Sequence, residues 1–231
     1  MSASANIAVI IPAYNEENAV GKVVAALPKD LVKSIIVVNN NSNDQTAVVA
    51  QQAGATVVDE LQQGYGFACL RGMAHVQEMS EKPDIIVFID ADYSDHPEEL
   101  PQLVAPILEN DVAMVIGSRA TGAKEKGSMT PQQIFGNWLA TRLIKWFYGV
   151  TFTDLGPFRA IRYADLLALN MQDQTYGWTV EMQVKAAKKG LRVEEVPVSY
   201  RVRVGQSKIS GTIKGTILAG YKIITTIFKY K

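Results

Sequence analysis

The 231-residue chain has a single cysteine, Cys69, and only two histidines, His75 and His96. One thiol excludes a disulfide within the chain and fits a reducing compartment. It also excludes a metal cage built from cysteines, and two histidines leave little for a histidine-based zinc site. Nowhere do about 18 uninterrupted apolar residues occur, so a membrane-spanning helix is not expected. Met1 to Asn6 shows no basic stretch followed by an apolar run, so no secretory leader is expected. Net charge is absent too: 23 Lys and Arg balance 23 Asp and Glu, which gives no ground for nucleic-acid binding. The expected location is cytoplasmic, with peripheral attachment to the cytoplasmic face of a membrane left open.

What is present is ordinary globular material, 48% hydrophobic and 20% charged, long enough for one large domain. The charge is unevenly spread. From Arg201 onward every charged side chain is positive: Arg201, Arg203, Lys208, Lys214, Lys222, Lys229 and Lys231. An acidic cluster lies between Asp90 and Glu99. A cationic tail fits contact with phosphates or an anionic membrane face, and equally a solvated helix.

The first third alternates β-branched apolar runs with segments of helical spacing. Strands are expected at Ile7–Ile11, Ser34–Val38, Thr56–Val58 and Asp84–Ile89. Helices are expected between them at Ala19–Leu27, Thr46–Ala53 and Gly66–Met79. That alternation predicts right-handed βαβ units and a mostly parallel sheet flanked by helices. Further on, Pro97–Asn110 reads as helix and Ala113–Ile116 as strand. Gly122–Met129 reads as a mobile loop or lid. Thr130-Pro131 starts a helix running to about Tyr148. Val180–Lys189 reads as helix and Arg192–Tyr200 as strand. The expected organisation is one domain over residues 1–210 and a basic amphipathic helix over 211–231. In that tail Ile213, Ile217, Tyr221, Ile224 and Phe228 recur at steps of three or four. The tail fits a membrane surface, the domain itself, or a homodimer partner. Trp138, Trp146, Phe147 and Tyr148 fit either core packing or contact with lipid.

In parallel sheets of this kind ligands bind outside the carboxyl ends of the strands. Three polar loops share that rim: Pro12–Glu17, Asn39–Asp44 and Asp90–Asp95. The most pointed is Ile85-Ile86-Val87-Phe88-Ile89-Asp90-Ala91-Asp92, an apolar strand that delivers two carboxylates. Asp90 and Asp92 converge only if the backbone is locally irregular. Such hard oxygen ligands suit Mg²⁺ or Mn²⁺ with a bound diphosphate, where the ion stabilises the leaving group. The plain alternative is a pair of solvated turn aspartates. Tyr14 offers a flat face to a base and Glu16 an acceptor to a ribose, or the segment is a simple strand-to-helix turn. Asn39 to Asp44 supplies amides for base edges, or merely caps the next helix.

Together these segments resemble a family-2 glycosyltransferase of the GT-A, Rossmann-like fold, and in particular the dolichyl- or polyprenyl-phosphate glycosyltransferases. The resemblance rests on Pro12-Ala13-Tyr14-Asn15-Glu16, Asn39 to Thr46, Gly64-Tyr65-Gly66-Phe67-Ala68 and Asp90-Ala91-Asp92. It continues through Gly117-Ser118-Arg119, Asp154-Leu155-Gly156-Pro157-Phe158-Arg159 and Gly205-Gln206-Ser207-Lys208. It implies that Pro12, Tyr14 and Glu16 hold the nucleoside, with Asn40 at the base and Gly66 and Ala91 beside the donor. Asp92 is the implied direct metal ligand. Asp90 is a second one on the sugar side. Arg119, Ser207 and Lys208 approach phosphates, while Asp154, Arg159, Trp178 and Arg203 serve the acceptor. The implied reaction is inverting, from a UDP-sugar by preference or a GDP-sugar, to a polyprenyl or dolichyl phosphate. Asn39 and Asn40 stand where the family usually has a carboxylate, which loosens the base assignment. An ionised phosphate acceptor needs no base, whereas a hydroxyl acceptor does, with Asp154 and Glu181 as candidates. A nucleotidylyltransferase is disfavoured because no glycine-rich basic loop follows the first strand. A non-catalytic nucleotide-binding scaffold is disfavoured because both aspartates are present.

Overall fold

The computed structural model describes residues 5–205 and 213–231. Seven strands form one sheet: β1 (Ile7–Ala13), β2 (Val32–Asn39), β3 (Thr56–Asp59), β4 (Ile85–Phe88), β5 (Met114–Ser118), β6 (Arg159–Arg162) and β7 (Val193–Pro197). Their order is β3-β2-β1-β4-β6-β5-β7. The first four strands are mutually parallel, as the alternating pattern predicts. β6 runs antiparallel to both β4 and β5, and β7 is again parallel to β5.

Among the described residues eight α-helices flank the sheet. Val20–Ala26 (α1), Thr46–Gln52 (α2) and Leu100–Asn110 (α4) lie on one face. Tyr65–Glu78 (α3), Pro131–Tyr148 (α5), Tyr163–Leu169 (α6) and Trp178–Lys188 (α7) lie on the other. The last helix, Ile213–Lys229 (α8), packs against α5 and α7. Ile7, Val9 and Ile11 of β1 enter one core, and Ala8 and Ile10 the other. Burial on both faces is why β1 reads as a continuous apolar run rather than an alternating one. At Gly72 a Cβ would stand 2.6 Å from Ile10 Cγ2, so glycine lets α3 press directly onto β1.

Three features depart from expectation. Pro12 does not end the first strand, which continues to Ala13. Pairing with β4 stops at Ile10, so beyond that point β1 is paired with β2 alone, a setting in which proline is tolerated. The segment expected as helix from Pro97 begins with a 3₁₀ turn, Pro97–Glu99. β6 and α6 were not expected at all. The strand sequence Arg-Ala-Ile-Arg has arginines at both ends and no apolar run, so its burial comes from its neighbours.

Elsewhere local signals hold. Thr130 caps α5: its hydroxyl accepts from Gln133 N, and the Gln133 side chain accepts from Thr130 N. The tail helix is docked on the domain. Tyr148 Oη donates to Ile227 O at 2.5 Å, Tyr230 Oη donates to Glu181 at 2.6 Å, and Lys222 pairs with Asp173 at 3.0 Å. Among the described residues no helix is long and apolar enough to cross a membrane.

Candidate active site

The ends of β1, β2 and β4 finish side by side, with Ala13 opposite Asn39 and Ile10 opposite Phe88. The three polar loops therefore converge on one cleft of about 420 Å³. Its walls include Pro12, Tyr14, Glu16, Asn40, Asp90, Ala91, Asp92 and Arg203, all singled out from the sequence, and also Gly64, Tyr65 and Tyr176.

Between Asp92 and Ser94 the chain turns at Tyr93, which holds φ at 60°. This left-handed residue turns the chain sharply just after the two aspartates, a conformation an aromatic rarely adopts without support. The support is Arg201, whose guanidinium lies 4.0 Å over the Tyr93 ring. Asp92 is nearly buried. Its Oδ1 accepts from Ser94 N at 2.9 Å and Ser94 Oγ at 2.5 Å, while Oδ2 faces Arg203 Nη1 at 3.3 Å. Asp90 Oδ1 is buried with no hydrogen-bond partner among the described residues. Burial, with the Asp92 charge adding to it, raises the Asp90 carboxyl to about 6. The phenol of Tyr65 is pushed well up by burial and by the Asp90 charge beside it.

A strand-like strap, residues 199–204, closes over this loop. Arg201 N donates to Ser94 O at 2.9 Å and Val204 N to Asp92 O at 3.0 Å. Arg203 then spans the cleft, bonding Glu16 at 2.9 Å as well as facing Asp92. The Gly122–Met129 loop is stitched to the same strap: Glu125 N donates to Tyr200 O and Val202 N donates to the Glu125 carboxylate. Opening the loop thus means moving the strap.

Behind the cleft lies a buried ion pair. Asp154 accepts from Arg119 Nε and Nη2, each at 2.8 Å, and from Arg119 N. Burial alone would raise the Asp154 carboxyl, but the Arg119 charge and its hydrogen bonds hold it below the ordinary value. Arg119 also lies over the Tyr200 ring.

Several expected site residues sit elsewhere. Glu181 is fully buried and its carboxylate accepts from Gln172 N, Asp173 N and Tyr230 Oη and pairs with Lys185. It does not line the cleft. Arg159 is fully buried and donates to the carbonyls of Leu155, Gly156 and Thr179; burial pulls its guanidinium down to about 10. Trp178 is a core residue, edge-on to Phe88. Both were expected at the acceptor; instead the antiparallel β6 carries Arg159 inward, and α7 turns Trp178 onto the sheet. Asn40 lines the cleft, but its amide N–H groups go to Glu60 O and Gln62 O, and its carbonyl accepts from Gly64 N. It shapes the wall more than it offers free groups to a base. Gly66 is needed for packing: a Cβ there would stand 2.0 Å from Asp173 O. Ser207 and Lys208 lie outside the described residues.

The sequence reading missed Asp95. It is 1% exposed and neither carboxylate oxygen has a hydrogen-bond partner among the described residues. Burial, then the Asp90 charge, pushes its carboxyl well up. Tyr176 was likewise not nominated, because an isolated tyrosine carries no local signal, and Tyr65 entered only as part of the Gly64–Ala68 segment.

The donor set fits a divalent cation. Carboxylate oxygens suit Mg²⁺ or Mn²⁺, and the orphaned Asp90 Oδ1 is a buried acceptor awaiting a positive partner. Among the described residues no group of three or more acidic, histidine or cysteine side chains surrounds a common point. Asp90 and Asp92 would therefore hold the ion jointly with donor phosphate oxygens and water, the usual arrangement for Mg²⁺.

A mostly parallel sheet with an antiparallel insertion, flanked by helices and with an Asp-x-Asp pair just past its fourth strand, is the architecture of a GT-A fold. The model of the family described as glycosyl transferase family 2 matches residues 8–168, and the chain belongs to that family. It is 36% identical over 221 residues to an uncharacterized glycosyltransferase of Mycobacterium tuberculosis, covering 92% of this chain and 94% of that one. It is 31% identical to an undecaprenyl-phosphate mannosyltransferase of Micrococcus luteus, over 89% of this chain and 88% of the relative. To a dolichyl-phosphate hexose transferase of Haloferax volcanii it is 30% identical, over 88% and 86%. Among solved structures, glucosyl-3-phosphoglycerate synthase of Mycobacterium tuberculosis, in complex with Mn²⁺, uridine-diphosphate and phosphoglyceric acid, superposes with a TM-score of 0.77. That match has 22% identity and covers 99% of this chain and 79% of that one.

Proposed function

We propose that this glycosyltransferase moves a hexose from a UDP-sugar to a polyprenyl phosphate at a membrane surface, with inversion and with Mg²⁺ or Mn²⁺ bound. The observation that carries the reading is the convergence of Asp90, Asp92, Glu16 and Arg203 on one cleft. Tyr14 and Glu16 hold the nucleoside, and Asp90 and Asp92 hold the cation. When bound there, the ion would supply positive charge that stabilises the diphosphate as a leaving group. Arg203, already between Glu16 and Asp92, supplies further positive charge beside the leaving group. Ser207 and Lys208 are assigned to the phosphates on the family pattern alone.

An acceptor phosphate oxygen attacks the anomeric carbon as the carbon–oxygen bond to the diphosphate breaks. The products are the glycosyl lipid phosphate and UDP, and no proton changes hands. That balance suits this site. Asp154 is locked on Arg119 with a lowered pKa, and Glu181 is buried and saturated, so neither nominated base is free. An ionised phosphate needs positioning and electrostatics rather than proton abstraction. The relatives named for undecaprenyl and dolichyl phosphates support the same acceptor class.

A second reading, transfer to a hydroxyl, is favoured only by the likeness to a synthase solved with phosphoglyceric acid. Calorimetric titration of UDP and GDP with and without Mn²⁺, followed by turnover of the matching sugar conjugates with undecaprenyl phosphate, separates the readings. Metal-dependent UDP binding and a glycosyl lipid product are expected. A product formed only on hydroxyl acceptors would reverse the acceptor assignment. Release of pyrophosphate would instead identify a nucleotidylyltransferase.

A further inference from the structure

α5 buries Ala140, Thr141 and Ile144 against the domain, as an amphipathic helix should. Its opposite face is not polar. Ile134, Phe135, Trp138 and Trp146 are each at least half exposed, Trp146 at 79%. A large apolar stripe left in water on a helix needs an explanation beyond chance exposure of single residues.

Two aromatic clusters make up the stripe, with Arg142 and Lys145 between them in sequence. Phe135 and Trp138 lie 5.8 Å apart between ring centroids, and Arg142 reaches over Trp138. About two turns beyond Trp138, Trp146 stacks on Phe147 at 5.4 Å, and Phe147 meets the exposed Phe228 of α8 at 5.0 Å. Lys231 closes the patch over the Phe147 ring. Beside the stripe is a recess of about 200 Å³ lined by Thr141, Arg142, Lys145, Thr151 and Phe152. Two cations and the Thr151 hydroxyl around one small hollow match the chemistry of a phosphate group, while the Thr141 hydroxyl donates to Trp138 O.

Charge decides what covers this face. From Lys126 to Thr153, and again from Ile213 to Lys231, every charged residue is a lysine or arginine. A second copy packed symmetrically would set the cations of this face, Arg142, Lys145 and Lys231, against one another, while Lys222 is already paired with Asp173. An anionic lipid surface supplies the missing charge, and Trp and Phe flanked by Lys and Arg match the chemistry of a membrane interface. The face also joins the active site. Asn137 of α5 accepts from Leu155 N and donates to Thr153 O, gripping the segment that carries Asp154.

We propose that the outer face of α5, continued by Phe228 and Lys231, docks on an anionic membrane, with a lipid headgroup phosphate entering the Thr141–Arg142–Lys145–Thr151 recess. Its catalytic purpose rests on the lipid-acceptor reading; its physical test does not. The whole chain is sedimented with phosphatidylglycerol vesicles and with phosphatidylcholine vesicles while tryptophan emission is recorded. Trp178 is fully buried, so any blue shift reports Trp138 and Trp146.

Binding to phosphatidylglycerol with a blue shift, much weaker binding to phosphatidylcholine and weakening by salt are expected. Arg142→Ser with Lys145→Ser should weaken binding about thirtyfold. Trp138→Ala with Trp146→Ala should abolish the shift and weaken binding about tenfold or more. In both double variants UDP binding should match the parent, which shows that they fold. Parent protein that ignores phosphatidylglycerol, or variants that bind it as well as the parent does, would overturn the proposal. So would a dimer in solution that the tryptophan variant turns into a monomer, because a second copy would then own the face. Vesicle binding without metal-dependent nucleotide binding would sink the transferase reading and leave this inference standing.

Discussion

The half of the sheet built from β1 to β4 and the half built from β5 to β7 solve different problems. In the first, the strands are parallel, the inner ones β1, β2 and β4 are largely buried, and each of those three is followed by a polar loop on the same rim. Its site residues are near neighbours in sequence or lie on adjacent strand ends. In the second, an antiparallel strand is inserted between parallel ones, and the interior holds charge: Arg119 on Asp154, Arg159 on carbonyls, Glu181 on Tyr230 and Lys185. The donor half is held by apolar burial with its charges at the rim. The other half is held partly by buried polar contacts whose loss is costly. Mutations should therefore damage chemistry in one half and stability in the other.

The largest stability effect is expected at the buried pair. Arg119→Met leaves Asp154 uncompensated, and breaking such a pair costs about 3–5 kcal/mol. Denaturant unfolding at neutral pH measures it, and a loss near zero would remove the contrast between the halves. The pH dependence has a definite sign. Asp154 is depressed in the folded parent, so its stabilisation is present above the ordinary carboxyl pKa of about 4 and is lost as pH falls below it. In Arg119→Met the guanidinium charge and its two hydrogen bonds are lost, and only backbone N–H groups still oppose the upward push of burial. The variant should then gain stability relative to the parent as pH falls toward that range.

The largest chemical effect is expected at Asp92→Ala. It should remove metal-dependent UDP binding and slow turnover by about 10²–10³-fold, the scale of losing one strong electrostatic contact. Thermal unfolding should barely move, and a large drop would mean that the rim aspartates are structural after all.

Gly66→Ala tests the seam between the halves, because its added Cβ collides with the Asp173 carbonyl. A cost of about 1–3 kcal/mol is expected. UDP should also bind more weakly, since Tyr65 beside it lines the cleft. The smallest effect is expected at Thr130→Ala, which removes the α5 cap and costs about 1 kcal/mol without altering nucleotide binding.

Most of the donor half was legible from sequence for the same reason that it is robust. Ile7 to Ile11 and Ile85 to Ile89 are apolar runs bounded by polar breaks, and loop positions follow directly from strand ends. Thr130-Pro131 announced α5 to within a residue, because capping is a local interaction. Arg159 and Trp178 came from the family pattern and Glu181 from its carboxylate, and none of those signals registers that all three are fully buried. An arginine can be buried when three carbonyls receive it, and a glutamate when backbone N–H groups do. Arg159-Ala-Ile-Arg162 gave no strand signal because its pairing depends on β4 and β5, about 70 and 45 residues earlier in the chain.

Periodicity and short motifs were enough for the sheet class, the rim and the Asp90–Asp92 pair, since backbone preference and burial pattern act over a few residues. Long-range packing settled the rest. It brought Arg203 across to Glu16 and Asp92, closed Arg119 on Asp154, and stranded Asp95 in the interior. It also turned the tryptophans of α5 outward beside α8. Those outcomes depend on which surfaces meet across tens to hundreds of residues, and no local propensity encodes that meeting.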